Sequence, residues 1–473
     1  MRKTACTSVI VGKKASIDGS IMIARTEDYH GPVNPKTFVV HAPEKAENRS
    51  FFSENTKLTY ELPNEALRYT ATPSDDPNEL GNYASASINE ANVATSATES
   101  LYGNEKVLAY DPLIPGGVAE DAINDVVAPY IKSARDGVIY LGEMIKKYGS
   151  AEGNGILFAD CEEAWYMEIP TGHHWVAVRI PDDCYAVAPN HVCIEEIKFD
   201  DPENYLYSEG IQDFVEKYQL NPNPDGFNFR KIFGTYRELD RVYNTPRQWF
   251  AHKILDPSTN YDPLSGDIPF LGKAKRLISH EDVAAVLSSH YNETVYDPIG
   301  QLGTEAEKKR FRSISLSRTS QGHVLQMRPE LPERLRGIIW LSFGTSAFNP
   351  YIPYFSYIED TPVQYKTVPQ EVDLENAYWL AKIFGYYAEH HYAEFHRETE
   401  EYRYAMMAYG RRRVAEIIEG AKDKSDAELL RYLTEENQKT ADYYIGETQK
   451  KLKSFMKRAL ADSKLSFLMD KNL

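Results

Sequence analysis

The feature that most constrains the fold of this chain is its opening pair of apolar runs. Residues 6–12 read Cys-Thr-Ser-Val-Ile-Val-Gly, and residues 20–25 read Ser-Ile-Met-Ile-Ala-Arg. Asp18-Gly19 between them is a strong hairpin signal, because glycine supplies the positive φ that tight turns need. The chain is therefore expected to begin with a β-hairpin. Cys6 then sits at its open end, and the second strand returns to that end carrying Arg25, with Asp28 just beyond. Hairpin geometry alone brings Cys6, Arg25 and Asp28 close together. Two ordinary explanations compete. A free cysteine is often a small apolar residue entering a buried strand, and an Arg–Asp pair at a surface is worth little.

The pattern continues in alternation. Residues 81–98 place small, polar and apolar residues around Asn-Glu-Ala-Asn, which reads as a second hairpin. Residues 116–148 predict two helices. Strand-like runs follow: GILFAD, AWYMEIP, HHWVAVRIP and CYAVAPN. HEDVAAVLSSHY reads as a helix. Strand character returns in ISLSRT, HVLQMR and GIIWLSFG, then in the aromatic run YIPYFSYI. From about residue 370 to 465 the pattern is helical. The order predicts an α+β core of sheets covered by helices, with a helical appendage over the last hundred residues.

Composition narrows the function. Of 473 residues, 42% are hydrophobic, enough for a sizeable core. The net charge of -17 repels phosphate backbones, so no nucleic-acid partner is expected. It also leaves no basic face for anionic membranes, and no apolar stretch approaches 18 residues. Arg2 and Lys3 suggest a secretory leader, but the apolar run Val9–Gly12 ends at Lys13-Lys14, too short for one. The four cysteines (Cys6, Cys161, Cys184 and Cys193) form no CxxC and no disulfide framework. That points to a reducing cytoplasm, with the last three expected to be buried thiols.

Most familiar chemistries are excluded by motif. There is no HExxH, P-loop or GxGxxG, and no GxSxG. His391 and His396 are five apart, which does not align two ligands on one helical face. His173-His174 falls in a strand, where neighbours point to opposite faces. Neither a metal nor a cofactor is expected.

What survives is specific. ACTSVIVGKKASIDGSIMIARTEDYHG closely resembles the start of the C69 family of cysteine dipeptidases. These are N-terminal-nucleophile (Ntn) hydrolases, relatives of the bile-salt hydrolases and penicillin V acylases. SINEANVATSATES looks like the family's Asn-Glu hairpin. AWYMEIPTGHHWVAVRIPDDCYAVAPNH looks like the strand pair leading to an oxyanion asparagine, and YNTPRQWF like the segment supplying a later arginine. The resemblance implies a four-layer αββα Ntn-hydrolase sandwich over residues 6–369, with a helical C-terminal extension over 370–473. It also implies removal of residues 1–5 by self-cleavage at Ala5-Cys6.

Carried over residue by residue, the resemblance makes Cys6 the nucleophile. Arg25 and Asp28 become the pair that positions its thiol and amine. Asn190 becomes the oxyanion donor and Arg247 a later active-site arginine. One departure matters. Glu99 stands where the acylase branch has an asparagine, and a carboxylate there suits a substrate's free α-ammonium. Taken alone, Glu99 and Arg247 also read as surface charges, and Asn190 as a loop residue. The implied function is a dipeptidase acting on small peptides, with a possible homo-oligomeric state. An N-acyl amide hydrolase of the bile-salt or penicillin V type, or a non-catalytic Ntn-fold binding protein, remains open.

Overall fold

The computed structural model describes residues 5–76 and 81–462. The opening hairpin is present: β1 (Ala5–Val11) pairs antiparallel with β2 (Ile21–Asp28). Gly19 adopts φ +74° in the turn, which a side chain would resist. The register pairs Cys6 with Glu27 and Ser8 with Arg25. Directly opposed residues share a face, so Cys6, Ser8, Arg25 and Glu27 all point to one side of the sheet. Asp28 pairs with Ala5 and lies on the other side.

The hairpin occupies the middle of a seven-stranded sheet. Its order runs Leu271–Gly272, Tyr185–Ala188, β1, β2, Thr319–Met327, Gly337–Phe343, Ile352–Phe355. An eight-stranded sheet, which includes Ala86–Asn89, Ala94–Ser100, Asn154–Ala159 and Ala164–Ile169, lies against it. Strand alternation sorts the second sheet's side chains. Leu157, Ala159, Ala164 and Tyr166 join the core that contains the hairpin. Ile156, Phe158, Trp165 and Met167 face the opposite way, into a cluster with the helix Ala134–Tyr148. Fully burying side chains of this size stabilises the fold by about 1.5–3 kcal/mol each. Gly137 lets that helix approach closely, since a Cβ there would stand 2.5 Å from Phe158.

The outer face of the first sheet is covered in turn. Helix Thr245–Leu255 packs on Tyr185–Ala188, and helix His280–Leu287 on Thr319–Met327. Helices Ala377–His390, Tyr392–Gly420 and Asp426–Asp462 lie against Gly337–Phe343 and Ile352–Phe355 and share its hydrophobic core. The layers are helix, sheet, sheet, helix: the αββα sandwich the family resemblance implied. Among the described residues, no helix is long and apolar enough to cross a membrane.

Some local expectations fail. Residues 314–318 of ISLSRT form a loop, and the strand begins at Thr319. Arg312 donates to the carbonyls of Ser313 and Ile314, so those acceptors serve a side chain instead of a ladder. The first helix of the 116–148 region begins only at Ile123. His173-His174 lies in a turn ahead of strand Val176–Arg179, because Asp111 accepts from both backbone N–H groups and gathers them there. Cys193 is buried, but Cys161 and Cys184 are only partly so; all four cysteines are free thiols.

Candidate active site

Cys6 is almost wholly enclosed, 1% exposed, between the two sheets. Its thiol receives one strong donor: Arg25 Nη1 lies 3.0 Å from Sγ. The hairpin register sets Arg25 two positions along on the same face, and the opposite sheet then fixes the guanidinium. It donates to Thr98 O at 2.8 Å, Ala97 O at 2.5 Å, Ser85 O at 3.2 Å and Ser96 Oγ at 3.1 Å. Those acceptors all belong to or adjoin the second hairpin. Ser96 is held from behind by His323 Nε2 at 2.8 Å, a ring that burial keeps far below its usual pKa and therefore neutral. Burial holds the Cys6 thiol well above its ordinary pKa, against the pull of the Arg25 charge. Those two influences meet on one sulfur, and the charge of Arg25 is what favours a thiolate there.

The backbone of Cys6 is gripped from the other side. Its N–H donates to Asn190 Oδ1 at 3.3 Å. Arg247, carried by helix Thr245–Leu255, donates to Cys6 O and, at 2.9 Å, to Thr7 Oγ1. The same guanidinium reaches Asn190 Oδ1 at 2.8 Å and Asn244 Oδ1 at 2.7 Å. Burial, with Arg312 nearby, draws the Arg247 pKa down to about 10, so it stays charged at neutral pH. Asn190 follows directly on strand Tyr185–Ala188, the neighbour of β1, which explains its reach. Its loop is anchored by Glu168, a buried carboxylate that accepts from the N–H groups of Cys193 and Ile194 at 2.6 and 3.2 Å.

Glu99 is not a surface charge. It is fully buried, accepts from Ser8 Oγ at 2.6 Å and from Asn190 Nδ2 at 2.7 Å, and has its pKa pushed up to about 7 by burial. Arg247 is equally enclosed, so the surface reading of both is overturned. The second Asn190 Nδ2 hydrogen goes to Ser100 O at 2.8 Å.

Cys6, Arg25, Glu99, Asn190 and Arg247 thus form one connected network. The Asp28 side chain lies on the outer face, opposite Ala5 and within electrostatic reach of Cys6. Thr319 Oγ1 donates to the Asp28 carboxylate at 2.5 Å, and Arg312 holds its other oxygen. Arg312 was invisible to sequence reading, since a single arginine in Phe-Arg-Ser-Ile-Ser carries no motif. Ser8, Ser96 and His323 were missed too; strand alternation puts each on the inner face, the one available signal. A further enclosed pair, Lys36 Nζ and Glu27 Oε1 at 3.0 Å, lies beside the Cys6 register position.

An αββα sandwich whose central hairpin carries Cys6, with an arginine on its sulfur, is the arrangement that the family resemblance implied. The chain is a member of peptidase family C69: the sequence model of that family, described as Peptidase family C69, matches residues 5–405. It is 48% identical over 470 residues to a probable dipeptidase from Latilactobacillus sakei, covering 99% of this chain and 98% of that protein. It is 40% identical over 452 residues to a probable dipeptidase A from Streptococcus pyogenes serotype M3, covering 94% and 95%. To dipeptidase A of Lactobacillus helveticus it is 38% identical over 453 residues, covering 95% of each. Among solved structures, a mutant conjugated bile acid hydrolase from Clostridium perfringens aligns with 78% of this chain and 100% of its own, at 10% identity and a TM-score of 0.28.

Proposed function

We propose that this protein is a cysteine-type dipeptidase whose nucleophile is Cys6 made N-terminal by loss of residues 1–5. The observation that carries the reading is the 3.0 Å contact between Arg25 and the Cys6 thiol in a chain of family C69. Residues 6–369 then form the catalytic domain and residues 370–473 the C-terminal extension, helical as far as Asp462, with 463–473 outside the described residues.

Cleavage of the Ala5-Cys6 bond frees an α-amine whose ordinary pKa is about 8. The amine takes the thiol proton, and the thiolate, favoured by Arg25, attacks the peptide carbonyl carbon. A carbon–sulfur bond forms and an oxyanion develops. Asn190 Nδ2 meets it by exchanging one of its present acceptors for the substrate oxygen. Collapse breaks the carbon–nitrogen bond, and the Cys6 ammonium gives its proton to the departing amine. Water then attacks the thioester while the amine takes its proton, which returns the thiol and releases a carboxylate. Asp28 steadies the new amine by a charge-assisted hydrogen bond, and Arg247 fixes the Cys6 backbone. Glu99, bonded to Asn190, is assigned to the α-ammonium of the dipeptide. The cytoplasm is the compartment that suits its unpaired thiols, and a homo-oligomer is compatible with the helical extension.

Purified protein assayed on a panel of dipeptides and on N-acyl amides tests this. Dipeptides should be cleaved with the higher kcat/KM, and Cys6→Ser should abolish it. Cleavage of acyl amides with dipeptides untouched would replace the dipeptidase reading by the acylase one. Glu99→Gln with unchanged preference for free-amine substrates would remove the role given to Glu99.

A further inference from the structure

On the outer face of the seven-stranded sheet, helices Thr245–Leu255, His280–Leu287 and Tyr392–Gly420 enclose a cavity of about 290 Å³. None of Cys6, Arg25, Asp28, Glu99, Asn190 or Arg247 lines it. Some of its polar groups lack hydrogen-bond partners. Arg403 faces it, and its Nε is enclosed with no acceptor. That guanidinium makes no ion pair among the described residues, and desolvation draws its pKa down. Ser288 Oγ and Tyr351 OH, both buried, also line the cavity without hydrogen bonds.

A buried arginine Nε and buried hydroxyls without acceptors are costly unless something satisfies them. A carboxylate does so best: it accepts two parallel N–H bonds from arginine and further bonds from hydroxyls. The walls add two conditions. Phe250, Ile254 and Met407 make one side apolar. Glu293 and Glu400 stand at the exposed rim, where a bare anion is repelled and an ammonium welcomed. Glu281, also in the lining, is already held by Arg411 through two bonds of 2.7 Å. The volume lies at the small end of ligand pockets and suits one compact molecule.

We propose that this cavity is a binding site for a free zwitterionic amino acid with an apolar side chain. Its carboxylate sits on Arg403, Ser288 and Tyr351. Its ammonium faces Glu400 and Glu293, and its side chain lies against Phe250 and Met407.

Calorimetric titration of the full-length Cys6→Ala protein with L-leucine, 4-methylpentanoate and 3-methylbutylamine tests the site, the last two lacking the ammonium and the carboxylate respectively. Leucine should bind most tightly, 4-methylpentanoate more weakly, and the amine at least tenfold more weakly than leucine. Arg403→Gln should weaken leucine at least tenfold. Ala285→Phe, which fills the mouth from an exposed helix position, should do the same and guards against a misfolded Arg403 variant. Leucine binding that is absent, unchanged in Ala285→Phe, or matched by the amine would overturn the proposal.

Discussion

The two faces of β1 hold the same cysteine by different means. On the inner face, the thiol meets Arg25, whose remaining donors are all taken by the second hairpin. On the other side, the backbone of Cys6 meets Asn190 and Arg247, which come from a loop and a helix far away in sequence. The inner arrangement adjusts charge at sulfur. The other fixes the position of the Cys6 peptide group, which becomes the amine on the proposed reading. A buried guanidinium serves both, but one acts on reactivity and the other on geometry.

That contrast can be broken experimentally, from the largest effect to the smallest. Cys6→Ala should remove dipeptide hydrolysis to background; residual turnover above background would sink the nucleophile assignment. Arg25→Lys keeps the charge but loses the fork, leaving Ala97 O and Ser85 O short of donors at about 1–3 kcal/mol each. Its kcat/KM should fall on the order of 100-fold, and alkylation of Cys6 by iodoacetamide should need a higher pH than in the wild type. If the alkylation profile does not move, Arg25 is not acting on the thiol.

Arg247→Lys should lower kcat by about 10- to 100-fold through misplacement while leaving that alkylation profile in place. A shifted profile would erase the distinction between the two faces. Glu99→Gln changes the pH dependence of stability. Burial raises the folded pKa of Glu99 to about 7, so the folded state binds more protons than the unfolded one between that value and the ordinary carboxylate range. Stability therefore falls as pH rises through this window. The Tm of Glu99→Gln should drop less between pH 5 and pH 7 than that of the wild type, and identical slopes would show that Glu99 ionises freely. At the small end, Arg411→Ala breaks an exposed pair with Glu281 and should cost about 0–1 kcal/mol. A larger loss by urea denaturation would mean the helical layer relies on surface charge.

Much of the inner face was legible because it is local. Asp18-Gly19 sets the hairpin, the hairpin sets the register, and the register puts Arg25 near Cys6. Alternation turns the Asp28 side chain to the outer face, to Arg312 and Thr319, while the register keeps its backbone opposite Ala5, beside the Cys6 peptide. The Asn190–Arg247 contact spans 57 residues and depends on how helix Thr245–Leu255 packs on strand Tyr185–Ala188. No periodicity encodes that, and only family resemblance singled those residues out. Burial of Glu99 escaped for a related reason. Its strand looks half-polar, yet it is covered on both sides, by the first sheet and by helix Ile123–Val127. The helical layer was readable as helices but not as part of the core, because its apolar positions are diluted by charge along Tyr392–Gly420 and Asp426–Asp462.

The most direct test is the intact mass and N-terminal sequence of the purified wild type beside Cys6→Ala. The account predicts a wild type that begins at Cys6 and a variant that keeps Met-Arg-Lys-Thr-Ala. A wild type that retains those five residues and still hydrolyses dipeptides would contradict it, since Cys6 would then have no free amine to act as the base.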